Sequence, residues 1–226
     1  MAAARECRLD LAPPRQHPGA MPDSTSAGPR QRPVKPADAA SLVILREGSD
    51  GPAVLMGQRS ARHRFMPRAL VFPGGRIDRG DHAAPAPAVA GLAPAFAAAA
   101  LRETVEETGL IPAPDVPLAY LCRLVTPAHL PIRFDARFLV AAAEGFTGTL
   151  AGSGELEFLR WITLTEAVTL ELSQPTRVVL DELSLWIALG PEGREAHVAG
   201  TWRHRAGALR RYPAGQFTAR NVSSAP

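Results

Sequence analysis

Residues 102–110 read Arg-Glu-Thr-Val-Glu-Glu-Thr-Gly-Leu, RETVEETGL. At 100° per residue Glu103, Glu106 and Glu107 fall on one side of a helix. Each close like-charged pair there costs a few tenths of a kcal/mol on an isolated helix. Arg102 stands four residues before Glu106 and can pair with it along the helix surface. One arginine does not neutralise three carboxylates. A hard divalent cation does, because Mg²⁺ takes one or two carboxylates together with waters and substrate phosphates. The alternative for such a face is plain solvation.

The flanks define the helix and what precedes it. From about Ala95 the chain reads AFAAAALRETVEET, a strongly helix-favouring run, with Pro94 suited to the first position and Gly109 to the cap. Upstream, ALVFPGG is a short apolar strand ending on Gly74 and Gly75, where backbone can approach a ligand closely. Between them HAAPAPAVAGLAP contains Pro85, Pro87 and Pro94 and cannot be one regular helix.

The rest of the chain supplies strands before this unit and strands and helices after it. Ser41–Glu47 and Ala53–Arg59, joined by the turn residues EGSDGP, predict a hairpin. AYLCRLV, IRFDARFLVAAA and LEFLRWITL are further strand candidates; the second alternates around Phe134, Ala136 and Phe138 as a half-buried strand does. TEAVTLEL and PTRVVLDELSLWIAL read as helices, the second with Pro175 and Thr176 at its start and an apolar stripe of Val179, Leu183, Trp186 and Ile187. Trp161 and Trp186 read as core residues. The order fits an α/β fold, a mixed β-sheet with helices on both faces, better than a regular βαβ alternation.

Composition bounds the class. The 226 residues suit one domain plus tails, with 46% apolar residues, enough for a core. No run approaches the roughly 18 apolar residues of a membrane span. The two cysteines, Cys7 and Cys122, make neither a disulfide framework nor a metal cluster, so a reducing cytoplasm is expected. Residues 201–226 carry five arginines and no acid, which leaves 20 basic against 22 acidic residues before them. The chain's basicity therefore belongs to its C-terminal end, and no nucleic-acid partner is expected from it. Three regions follow: a disordered, Pro/Ala/Arg-rich tail over 1–37, a domain over 38–200 with a Pro/Ala-rich insertion at about 82–94, and a basic tail over 201–226.

FPGG, an acid-bearing loop and RETVEETGL together resemble the Nudix box of the Nudix (MutT-like) hydrolases. Gly75, Arg102, Glu103, Thr104, Glu106, Glu107, Gly109 and Leu110 occupy the places of that pattern. Two departures are visible. Asp81 stands where the first glutamate of the box is usual, with Asp78 just before it. The gap before the arginine is also longer by thirteen residues, read as a surface insertion. The resemblance implies an α/β/α sandwich, Mg²⁺ or Mn²⁺, and hydrolysis of a pyrophosphate bond in a nucleoside diphosphate linked to another moiety. It implies Glu103, Glu106 and Glu107 as metal ligands with the Gly75 carbonyl, and Arg102 as the group that orients a glutamate. Glu155, on a later loop, is the favoured base or extra ligand.

Arg59, Arg62 and Arg64, together with His63 and Arg68, precede the glycine loop and suit phosphate, since a guanidinium binds it bidentately. RSARHRFMPRALVFPGGRIDRGD is similar to the segment around the box of coenzyme A diphosphatases, which implies CoA or an acyl-CoA. Met66-Pro67 departs from that subgroup. ADP-ribose, NADH, a dinucleoside polyphosphate or an oxidised dNTP are the other substrates the family resemblance allows, and RNA 5′ ends fit the charge poorly. A non-catalytic, nucleotide-binding regulatory module is the competing class, although such a module is free to lose Glu103, Glu106 and Glu107. A monomer or a homodimer is compatible with the sequence.

Overall fold

The computed structural model describes residues 34–62, 66–152 and 154–214. The expected tail therefore lies outside the described residues up to residue 33, as do His63 and Arg64. Among the described residues, short and long elements build a mixed sheet flanked by helices. They are β1 (Ala37–Arg46), β2 (Ala53–Arg59), β3 (Leu70–Val71), β4 (Gly74–Arg76), α1 (Pro94–Thr108), β5 (Ile111–Pro112), β6 (Ala119–Val125), β7 (Phe134–Ala142), β8 (Phe146–Thr147), β9 (Leu156–Thr163), α2 (Leu164–Thr169), α3 (Gln174–Ala188), α4 (Gly190–Glu195), β10 (Gly200–Arg205) and β11 (Ala208–Tyr212), with 3-10 turns at Gly80–His82 and Ala143–Gly145.

The sheet runs β11-β10-β6-β7-β1-β2-β3, with β4 also on β1 and β9 also on β2. β1 pairs parallel with β7 and β6 parallel with β10; the other ladders are antiparallel. β5 and β8 form a separate two-stranded pair.

Strand β1 shows why two faces are covered. Its buried residues alternate between layers: Leu42 and Ile44 pack with Phe96, Ala97, Ala99 and Ala100 of α1, while Val43 and Leu45 pack with Val179, Leu180 and Leu183 of α3. A strand buried on both faces is a continuous apolar run, as SLVIL is. Alanine along α1 lets the helix lie close to the sheet. This is the expected α/β/α sandwich with a mixed sheet.

Helix α1 begins with Pro94 in its first turn and ends on Gly109 at φ 74°, a left-handed position that glycine adopts without strain. Its eight residues before Arg102 are ordinary helix. The extra length between Asp81 and Arg102 therefore sits ahead of Pro94, where the chain is largely irregular and packs Ala86, Val89 and Leu92 against the α1 layer.

Two expected boundaries move. The first strand begins at Ala37, not Ser41, because it pairs with β7 from Ala37↔Phe134 onward and because Arg133 holds the Val34 carbonyl at 2.6 Å. The basic tail expected from residue 201 is instead structured as far as Tyr212: β10 adds to the sheet beside β6, and β11 returns along β10. Arg211 is drawn in by Glu182, a carboxylate of α3 that is only 2% exposed and also accepts from the Trp202 indole at 2.9 Å. Arginine content alone signals solvation; a buried acid on another helix reverses it. Residues 215–226 lie outside the described residues.

Candidate functional site

The glycine loop and the glutamates meet where β4 abuts the second half of α1. Glu107 is buried and accepts a hydrogen bond from the Gly74 amide at 2.8 Å. Gly75 lies directly beneath the Glu103 carboxylate, and a Cβ on Gly75 would collide with it. Gly74, at φ 152°, has no room for a side chain either, being pressed onto Ser41 and the Ala40 carbonyl. The two glycines are thus required by close approach, one to the Glu103 carboxylate and one to the neighbouring strand.

Arg102 organises the polar side of this helix. Its Nε and Nη2 donate to the two oxygens of Asp81 at 3.0 Å each, its Nη1 to Glu103 at 3.0 Å and Glu106 at 3.1 Å, and its Nη2 also to the Arg76 carbonyl. Asp81 is buried in the 3-10 turn and takes a further hydrogen bond from the Asp78 amide at 2.7 Å. The insertion thus leaves Asp81 in contact with the helix as the anchor of Arg102. The arginine holds the Asp81 carboxyl below the usual carboxylate range, and that pairing in turn raises the guanidinium's own pKa.

Glu103 and Glu107 are displaced the other way. Burial raises the pKa of both, to about 8 for Glu107, against the lowering contribution of Arg102 on Glu103 and of the Gly74 amide on Glu107. Both open onto a cavity of about 750 Å³ that also receives Gly75, Glu155, Arg59 and Arg62. Burial lowers the pKa of Arg59, while Glu107, Glu155 and Glu103 oppose that shift.

Of the residues singled out in the sequence, the structure brings Gly75, Glu103, Glu107, Glu155, Arg59 and Arg62 to one cavity. Glu106 stays outside that lining, half-exposed on Arg102. Arg64 lies outside the described residues.

The remaining wall was not anticipated. Phe72, Leu124, Ile132, Phe134, Ala136 and Phe138 form an apolar floor, and Thr176 at the start of α3 lines it too, its hydroxyl on the Leu70 carbonyl at 3.1 Å. The alternation of Phe134, Ala136 and Phe138 was visible in the sequence as a half-buried strand, but not that its exposed half faces a cavity. Pro175 and Thr176 were read only as a helix start; which cavity that start borders depends on long-range packing.

A divalent cation fits the donor set. Glu103 and Glu107, their pKa values raised by burial, share one cavity with Glu155 as well as with Arg59, Arg62 and Arg76, and a cation among the carboxylates would favour their ionised forms. Among the described residues no three acidic, His or Cys side chains already converge as a closed cage. Mg²⁺ does not require one, because it keeps waters and substrate oxygens in its shell.

A family model described as NUDIX domain matches residues 35–183. A Caenorhabditis elegans protein with the name "Putative nudix hydrolase 7" is 29% identical over 125 residues, covering 55% of this chain and 38% of the relative, so the match spans well under half of that protein. The crystal structure of a NUDIX hydrolase from Alicyclobacillus acidocaldarius superposes with a TM-score of 0.54 at 27% identity, covering 65% of this chain and 90% of that one. The NUDIX domain of Shewanella oneidensis NrtR, a cocrystal structure complexed with ADP ribose, gives 0.51 at 15% identity over 68% and 90% of the two chains, a likeness of fold. With the family model covering strands β1 to β9, the glycine loop and the glutamate helix, this chain belongs to the NUDIX domain family.

Proposed function

We propose that the protein hydrolyses the pyrophosphate bond of a nucleoside diphosphate linked to a further group, with CoA or an acyl-CoA as the leading substrate. The observation that carries this reading is the cavity itself: an acidic end built by Glu103, Glu107 and Glu155, arginines beside it, and an apolar remainder. Glu103 and Glu107 would hold Mg²⁺ or Mn²⁺ with the Gly75 carbonyl, and Glu106, kept in place by Arg102, would complete the set. When bound, such an ion supplies charge stabilisation at the phosphoryl oxygens and acidifies a water.

The chain's own residues do the rest. Glu155 takes the proton of the attacking water; the new bond is from water oxygen to phosphorus and the bond broken is the bridging P–O bond, its electron pair leaving with the second phosphate. Arg59 and Arg62, with Arg64 from the adjoining segment, bind phosphate oxygens. The apolar floor of Phe72, Leu124, Phe134 and Phe138 takes the less polar part of the substrate. No helix among the described residues is long and apolar enough to cross a membrane. The buried free thiol of Cys122 suits the reducing cytoplasm we infer as its location.

The test is metal-dependent turnover of a panel containing CoA, acetyl-CoA, ADP-ribose, NADH, dinucleoside polyphosphates and oxidised dNTPs, in parallel with Glu106→Gln. Release of phosphopantetheine and adenosine 3′,5′-bisphosphate from CoA, lost in the variant, supports both reaction and substrate. Turnover of another compound keeps the reaction and discards CoA. Binding without turnover of any compound overturns the hydrolase in favour of a regulatory module.

A further inference from the structure

Two parts of the chain meet in space around a second cavity. One is the insertion ahead of α1; the other is everything after residue 183, where the family match ends. Val89, Ala90 and Gly91 of the insertion and Arg194, His197 and Thr201 of the C-terminal region face each other across the start of β6, and together with Tyr120, Arg123 and Trp186 they enclose a second cavity of about 620 Å³. No residue of this cavity belongs to the lining of the first. Its size lies within the usual range of roughly 300–1,000 Å³ for small-molecule sites.

The wall is aromatic and rich in donors. Arg194 lies with its guanidinium carbon 4.8 Å from the centre of the Trp186 ring and donates to the Trp186 and Ile187 carbonyls, so it caps α3 with no carboxylate within salt-bridge range among the described residues. The indole N–H of Trp186 is buried and has no hydrogen-bond partner, an unmet donor on a wall residue. Burial raises the Tyr120 pKa to about 12, which keeps its hydroxyl a neutral donor. His197 has a ring nitrogen 2.8 Å from the Leu121 carbonyl, and since a carbonyl only accepts, that nitrogen is the donor. Arg123 is held by both oxygens of Asp135, and the one acid on the wall is Glu195. A cation with no carboxylate in salt-bridge range among the described residues, the Tyr120 hydroxyl and two aromatic residues on one wall suit a flat ligand that carries an acidic group.

We propose that this second cavity binds a small planar anion, a ring bearing a phosphate or a carboxylate, at a site separate from the glutamate helix. The site is a product of the insertion and the C-terminal extension acting together, and it gives those additions a role the hydrolytic cavity does not need.

The experiment is calorimetry on the full chain in EDTA with adenosine 5′-monophosphate, 4-hydroxybenzoate and adenosine, repeated on Arg194→Met, Tyr120→Phe and Arg59→Met. Saturable binding of either anion, with adenosine weaker by roughly tenfold or more for loss of the charged contact, is the expected result. Arg194→Met should weaken the anion by a similar factor while keeping its stem on Trp186, and Tyr120→Phe, which removes one hydroxyl and no packing, should weaken it a few-fold. Arg59→Met should leave it unchanged. A preference for the nucleotide assigns phosphate, a preference for the benzoate assigns carboxylate, and both support the site. Absence of saturable binding of either anion at millimolar concentration overturns it. So does binding that is lost in Arg59→Met and indifferent to Arg194→Met and Tyr120→Phe, which would return the ligand to the first cavity.

Discussion

Among the described residues, the acids of low exposure divide into two kinds. Asp81, Asp135 and Glu182 are each gripped by an arginine: Arg102, Arg123 and Arg211 respectively. Glu103 and Glu107 sit in a cavity wall where burial outweighs what their partners return, and the pKa of each rises. The first kind ties elements together, since removing one partner leaves an uncompensated buried charge. The second kind keeps a net penalty for ionisation that a cation from outside the fold would relieve. Stability and activity should therefore separate cleanly between the two groups.

The largest expected effect is on the second kind. Glu103→Gln and Glu107→Gln should each lower metal-dependent turnover by roughly a thousandfold, about 4 kcal/mol of transition-state stabilisation. The same variants should melt no lower than the parent in EDTA, because a neutral amide carries no charge to desolvate. A parallel loss of melting temperature and activity would put these glutamates with the structural acids and erase the distinction.

Asp135→Asn tests the first kind. It removes the carboxylate that accepts from Arg123 at 2.7 and 2.6 Å, a residue only 9% exposed. A loss of about 3 kcal/mol in chemical denaturation is expected, the usual cost of breaking a buried pair from one side. Metal-dependent turnover at a temperature where the variant stays folded should be unchanged.

Asp81 stands between the two kinds, a structural acid whose arginine also holds Glu103 and Glu106. Asp81→Asn should cost roughly 10–100-fold in turnover or in the Mg²⁺ concentration needed for it, the size seen when a group behind a metal ligand is removed. Asp81→Glu, which keeps the charge, should recover most of the loss. Failure of the glutamate to recover any would show that the side-chain length, not the charge, positions Arg102.

The same division explains what the sequence made legible. Local signals carried the site helix: Pro94, the alanine run, Gly109 and the glutamate spacing are all within sixteen residues, and α1 forms over Pro94–Thr108 as expected. The hairpin of β1 and β2, the strands AYLCRLV and LEFLRWITL and the α3 stripe were read from patterns of similar range. What escaped depends on pairs far apart in sequence. Glu182 gave no sign that it would bury itself on Arg211, nor Arg123 that it would meet Asp135 twelve residues on. The β10–β11 hairpin was hidden because five arginines without an acid look like solvated chain, while the acid that captures Arg211 lies on α3. The apolar floor of the cavity was hidden because Phe134 and Phe138 look alike whether they face a core or a ligand.

The pH dependence of stability is the effect most specific to the glutamate pair. Glu107 has a folded-state pKa of about 8, raised from the ordinary 4.5 of an exposed glutamate. The folded protein therefore holds a proton that the unfolded chain has already released across that interval. Stability falls wherever the folded state binds more protons, so the contribution present below 4.5 is lost as pH rises through about 8. In EDTA the melting temperature should decline from pH 5 to pH 8, and Glu107→Gln should flatten that decline. Saturating Mg²⁺ should flatten it as well, since a bound cation favours the ionised carboxylate and binds only the folded state. If the decline persists unchanged with Mg²⁺ present, the cation does not engage Glu107, and that carboxylate is not a ligand of the ion.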